Sequence, residues 1–235
     1  MNVNSELKNA KKVLIELVKF KESLSEKNNS IKNDIELLIE QYSLFYLVCV
    51  RLLNNMSILR RYQNGPYFAR KYHQKYSKNE RKIAEKANLI RKYYILDEND
   101  FFIHTRILLD RYAKLSKYFF INENAPSPHS FRKHREFFKN EEIYKKIIKH
   151  KLYADYIRNN MDWFDIFLKR IRDENIVHIN HNFLRLSGFQ DSGEFNIIIL
   201  PFKKNQKIIH INICDLIRST IKFSNFFINY MKKSI

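Results

Sequence analysis

Glycine is nearly absent from this chain. Three glycines and four prolines occur in 235 residues, and that scarcity removes whole architectures. Sandwiches and barrels turn many times and use glycine to do it, so a helical protein is the default. Dinucleotide-binding folds need a G-x-G-x-x-G turn, and phosphate-cradling loops need glycines followed by lysine. Gly188 and Gly193 have the spacing of a phosphate-loop pair, but Glu194 stands where the lysine belongs. A carboxylate there repels phosphate, which excludes nucleotide hydrolysis by that route.

Apolar residues make up 45% of the chain, enough for a real core, and aromatic residues make up 14%, more than a disordered chain carries. The two cysteines, Cys49 and Cys214, lie in apolar runs and form no C-x-x-C pair. This points to a reducing compartment, here the cytoplasm, and away from a disulfide scaffold. The segment Met1 to Lys12 lacks the apolar stretch of a secretion signal. Leu44 to Leu59 is the most apolar run, yet Arg51, Asn54 and Asn55 interrupt it, so it reads as a buried helix and not a membrane span.

Periodicity predicts a first helix from Ser5 to Lys27 and a second from Ile31 to Arg61, ending at the Asn64-Gly65-Pro66 turn. Ser77 and Glu80 form a capping box that opens a third helix through Tyr94. The acids Asp97 to Asp100 read as the lead-in to a fourth helix. Ala125 to Pro128 reads as a linker, with Ser127 and Pro128 a good helix start, followed by short basic helices to His150. A further helix is expected from Tyr153 through Trp163 and Phe164 toward His178. Phe195–Leu200 and Ile208–Ile213 read as one β-hairpin, and Asn212 as the cap of a last helix to Met231. The expected architecture is all-α, a helical bundle with one small hairpin at about residues 194–213. Its natural division is a basic, aromatic N-terminal region at 1–95 and a helical domain at 96–235.

Positive charge is the second constraint. Lysine and arginine number 43 against 25 acids, a net charge of +18, which favours polyanionic partners and nucleic acid first. The charge concentrates between Arg60 and Lys82. Arg60, Arg61, Arg70, Lys71, Lys75 and Lys78 there alternate with Tyr62, Tyr67, Phe68, Tyr72 and Tyr76. Cations neutralise phosphates while aromatic faces stack on bases, the chemistry that grips single strands. A solvated helix and loop has the same composition. Arg132, Lys133, His134 and Arg135 are candidates to extend that surface, and Arg106 with Asp110 reads as an intrahelical pair.

One local pattern carries possible chemistry. Arg172-Asp173-Glu174-Asn175-Ile176-Val177-His178 places a histidine six residues after an arginine that is followed by a polar acid. This resembles the R-x(4–6)-H signature of the HEPN superfamily, and its flanks are similar to the abortive-infection branch. The resemblance covers residues 98–235 and leaves the first 95 unmatched. It implies a helical bundle acting as a metal-independent endoribonuclease in a defence or toxin–antitoxin setting, as a homodimer. A nucleotidyltransferase-type antitoxin is an implied partner, and no cofactor is.

RNA supplies its own nucleophile, the 2′-hydroxyl. His178 would exchange the proton near neutrality, Arg172 would stabilise the charged phosphorane, and Asp173 would orient one of them. On a straight helix these two side chains lie about 9 Å and about 120° apart. Either the helix breaks between them or a two-fold dimer joins two copies; the dimer is the expectation. The competing reading makes His178 a core residue on the stripe Phe164, Phe167, Ile171, in a non-catalytic module that binds nucleic acid or protein. His178 and His181, with His210 and Cys214, have spacing that suggests zinc, but the pairs read as structural and no metal is expected.

Overall fold

The computed structural model describes residues 3–25, 28–63, 77–120, 126, 129–165, 168, 183–189, 195–201 and 209–234. The protein is mostly helical. Its elements are α1 (Val3–Ser23), α2 (Asn29–Gln63), α3 (Lys78–Leu115), α4 (Phe131–Lys139), α5 (Glu141–Lys146), α6 (Lys151–Asn159), β1 (Phe183–Phe189), β2 (Phe195–Pro201), β3 (Ile209–Asn212) and α7 (Ile213–Ser234).

The long helices follow from a heptad-like spacing of apolar side chains. On α2, Ile35, Leu38, Tyr42, Phe45, Cys49, Leu52, Met56 and Leu59 step by three and four and are all buried. On α1, Ala10, Val13, Leu17 and Phe20 do the same. By length and composition α2 would suffice to cross a membrane; here its inner seam packs against α1 and α3. Asp34 meets Lys117 at 2.8 Å and Arg51 meets Asp97 at 2.6 Å, so α2 and α3 are antiparallel. Helix α7 lies on α1 in the parallel sense, with Glu6 on Arg218 at 2.6 Å and Glu16 on Lys232 at 2.7 Å.

Four local readings meet a different structure. The third and fourth helices are one, α3, running unbroken through Asp97 to Asp100 and across residues 95 and 96. No glycine or proline interrupts that stretch, and Arg51 on α2 pairs with Asp97 and Asp100. The helix expected from Tyr153 toward His178 is interrupted: α6 ends at Asn159, Met161 is buried in the break, and residues 162–165 and 168 are helical again, while the reach to His178 lies outside the described residues. The break is capped from outside α6. Arg135 on α4 donates from Nη1 to the Ile157 carbonyl at 2.5 Å, satisfying one of the last-turn oxygens. The hairpin β2–β3 is present, but β1 adds a third antiparallel strand with Phe189 opposite Phe195 and Phe183 opposite Pro201. Gly188 sits within that strand, paired with Asn196. Finally, Ser5 lies inside α1, which starts two residues earlier.

Other readings stand. The Ser77–Glu80 capping box is formed in both directions, at 2.7 and 3.3 Å. Asn212 accepts from the Cys214 amide at 2.9 Å and opens α7. The short basic helices begin at Phe131, where Ser130 accepts from Lys133 at 3.3 Å and Asp110 accepts from the Phe131 amide at 2.7 Å. The Ala125–Pro128 linker and the Asn64-Gly65-Pro66 turn lie outside the described residues, Pro126 excepted.

Candidate nucleic-acid interface

The exposed cations gather where α2 ends and α3 begins. Arg60, Arg61, Lys78, Arg81, Lys82, Lys86, Arg91 and Lys92 are all exposed, against the acids Glu80 and Glu85. Antiparallel packing sets this order. The pairs Asp34–Lys117 and Arg51–Asp97 fix a register in which Arg60 and Arg61 lie opposite the turns of Lys86 to Lys92, and not opposite Lys78. Lys78, Arg81 and Lys82 continue beyond the end of α2.

Of the residues expected to hold RNA, Arg60, Arg61 and Lys78 are thus exposed at one end of the α2–α3 pair. Arg70, Lys71 and Lys75 lie outside the described residues. Lys86, Arg91 and Lys92 were not in the expected set. The signal for them was available in the unbroken helical period after Ser77, which carries the same charge pattern for two further turns.

The same face holds apolar side chains. Lys82, Lys86, Leu89, Tyr93 and Leu96 recur at helical spacing on the outer side of α3, and the last three are exposed. Beside them, between α2 and α3, lies a cavity of about 500 Å³ whose lining includes Arg51, Tyr93, Leu96, Asp97 and Asp100. Arg51 spans its floor: Nη2 reaches Asp97 at 2.6 Å and Asp100 at 2.9 Å, and Asn55 donates to the second Asp97 oxygen at 2.7 Å. Asp97 is buried and fully engaged, whereas Asp100 is half exposed. Two of the three acids read from sequence as a helix start, Asp97 and Asp100, therefore line a groove.

The cluster Arg132 to Arg135 does not extend this surface as one piece. Arg132 and Lys133 are exposed, but His134 and Arg135 belong to the core. Arg135 is bound by Asp162 at 2.5 Å and Asp165 at 2.7 Å, and Lys139 joins Asp165 at 2.7 Å. Burial works to raise the Asp165 carboxyl, but hydrogen bonds from Lys139 and Arg135 outweigh it and hold the group below its ordinary value. His134 bonds the Tyr153 hydroxyl at 2.8 Å, and burial pushes its imidazole down to about 3, so it is neutral.

Arg106 makes its expected pair with Asp110 at 3.5 Å, and it is buried with its guanidinium 4.7 Å from the Phe164 ring. Phe164 is also in edge contact with Phe131 at 5.0 Å. These contacts anchor the chain where it leaves toward the Arg172 motif. Arg172, Asp173 and His178 themselves lie outside the described residues, as do Phe167, Ile171 and His181. His210 is on β3 and Cys214 on α7, so the strand–helix junction separates the pair that helical spacing would have aligned. Among the described residues no three His, Cys, Asp or Glu side chains gather as metal ligands. Cys49 is buried, which raises its thiol well above the usual value and leaves it protonated.

Compared with known proteins, the chain matches no family model, no curated protein and no solved structure.

Proposed function

We propose that this protein captures RNA on the basic α2–α3 face and cleaves it without metal, in the manner of a HEPN-type endoribonuclease. One observation carries the capture step: eight exposed cations against two acids on two helices held in fixed register. A like-signed surface of this density costs self-repulsion unless a polyanion offsets it, and a phosphate backbone does so by releasing its counterions. The cleavage step rests on Arg172, Asp173 and His178. His178 would take the 2′-hydroxyl proton as that oxygen attacks the adjacent phosphorus, and Arg172 would hold the phosphorane oxygens. The 5′-oxygen leaves and a 2′,3′-cyclic phosphate remains. The arrangement requires either a homodimer or a bend between the two residues.

Incubation with bulk RNA, tRNA included, in EDTA tests it. Wild type is expected to yield 2′,3′-cyclic phosphate ends and His178→Ala none, while both bind RNA equally. In sedimentation the chain should run at twice 28.7 kDa. Cleavage unchanged in His178→Ala overturns the assignment of the site. RNA binding with no cleavage by wild type leaves the other reading, a non-catalytic helical nucleic-acid-binding module, which the exposed cations of α2 and α3 support by themselves.

A further inference from the structure

The groove beside the basic face is shaped and equipped for more than a phosphate backbone. We infer that the α2–α3 cavity is a base-recognition pocket that takes one unstacked guanine of the bound strand, with Tyr93 as stacking platform and Arg51 and Asp100 reading its edge. This rests on the RNA-binding reading above and names the nucleotide that the same surface prefers.

Three observations carry it. First, the Tyr93 ring is 52% exposed at the cavity and, among the described residues, packs against no other aromatic ring. Elsewhere in this protein aromatic side chains cluster densely, as in the Tyr156–Phe226 stack at 3.8 Å. A lone half-exposed ring beside a cavity offers a π-face to a base. Second, Arg51 uses Nη2 on both aspartates, and among the described residues its Nε and Nη1 have no hydrogen-bond partner. Asp100 uses Oδ2, and its Oδ1 is likewise without one. Donor and acceptor therefore stand side by side, held by their own ion pair.

Third, that pairing matches one base. Guanine presents an acceptor, O6, beside the donors N1–H and N2–H; an arginine N–H serves the first and a carboxylate oxygen the second. Adenine offers an amino donor where guanine has O6, which would face the guanidinium with hydrogen against hydrogen. Uracil has O4 and N3–H, but its third group is the acceptor O2 where guanine has an amino donor, and it covers less of the ring. The buried Asp97, clamped by Asn55 and Arg51, keeps the guanidinium in place before the base arrives. Lys86 and Lys82 lie on the Tyr93 face, about 10 and about 16 Å along the helix, where the flanking phosphates can be met.

The test uses the full chain and labelled ten-nucleotide uridine strands carrying one central guanosine, adenosine or uridine. All carry 2′-fluoro groups, so that binding is read without cleavage. Anisotropy is expected to show the guanosine strand binding about tenfold tighter than the other two. Asp100→Asn should abolish that preference, leaving the guanosine and uridine strands with equal affinity, and circular dichroism should show the fold unchanged. Tyr93→Leu, which keeps an apolar side chain but no ring, should weaken the guanosine strand about tenfold. Equal affinity for all three strands, or a guanosine preference that survives Asp100→Asn, overturns the pocket and leaves RNA capture standing. Absence of binding to every strand overturns both.

Discussion

From Lys78 to Tyr93 helix α3 buries a single side chain, Ala87; from Tyr94 to Leu115 it buries twelve. One continuous helix thus serves two regions built on different terms. Its first half, with the end of α2, carries cations and the exposed Leu89, and the groove lies where the two halves meet, at Tyr93, Leu96, Asp97 and Asp100. Its second half enters a core where aromatic rings from α3, α4, α6 and α7 meet. Tyr112, Phe119, Phe131, Tyr153, Phe223 and Phe227 contact one another there, with centroids between 4.7 and 6.1 Å. The lesson is that stability and recognition are separated along the helix axis. Apolar burial at one end holds the helix, so the other can leave its outer face open to a ligand.

Three measurements would break or sharpen this contrast. The largest effect should come from the aromatic core. Phe227 is fully buried among Tyr112, Phe119, Tyr153 and Phe223, so Phe227→Ala should cost about 3–5 kcal/mol in urea unfolding. Leu89→Ala, on the outer face of α3, should cost under about 0.5 kcal/mol. Similar losses at both positions would mean that something covers the α3 face.

The second concerns pH, and again sits in the core. The unfolded chain protonates His134 below about pH 6.5, whereas the folded protein resists until about 3. Between those values the unfolded state binds more protons, so stability rises with pH and falls as acid is added. Going from pH 7 to pH 5 should remove about 2 kcal/mol through this residue. His134→Gln should flatten that part of the slope. An unchanged slope would show that the imidazole accepts its proton in the folded state.

The third measurement belongs to the open end of α3. Ser77→Ala removes one half of the capping box and should cost about 1 kcal/mol. Faster amide exchange is expected over the first turns, with the aromatic core unaffected. A loss as large as that of Phe227→Ala would show that the two halves of α3 fold as one tightly coupled unit.

Much of the helical frame was legible because its causes are local. The three–four spacing on α2 marks a buried seam whatever packs against it, and Ser77 and Asn212 bond amides within three residues of themselves. The β2–β3 hairpin announces itself by β-branched runs. Strand β1 does not, since Phe183-Leu-Arg-Leu-Ser-Gly-Phe189 shows no strict alternation and gains its ladder only from β2. Half of the candidate interface could be read as charge density. The groove could not, because Asp97 and Asp100 look like a helix start until Arg51, on another helix, is placed against them.

Arg135 shows the same limit most sharply. Beside Arg132 and Lys133 it reads as part of a basic surface, yet it lies in the core and caps the end of helix α6 at the Ile157 carbonyl. Sequence alone determined that the chain is helical, where two of its helices are capped, and where its positive charge is concentrated. Those properties depend on residues within a turn or two of one another. Only the tertiary structure decided which charges are exposed, where α6 stops, and that α2 and α3 enclose a polar-floored cavity. Burial and ion pairing are set by partners tens of residues away, and no local pattern encodes them.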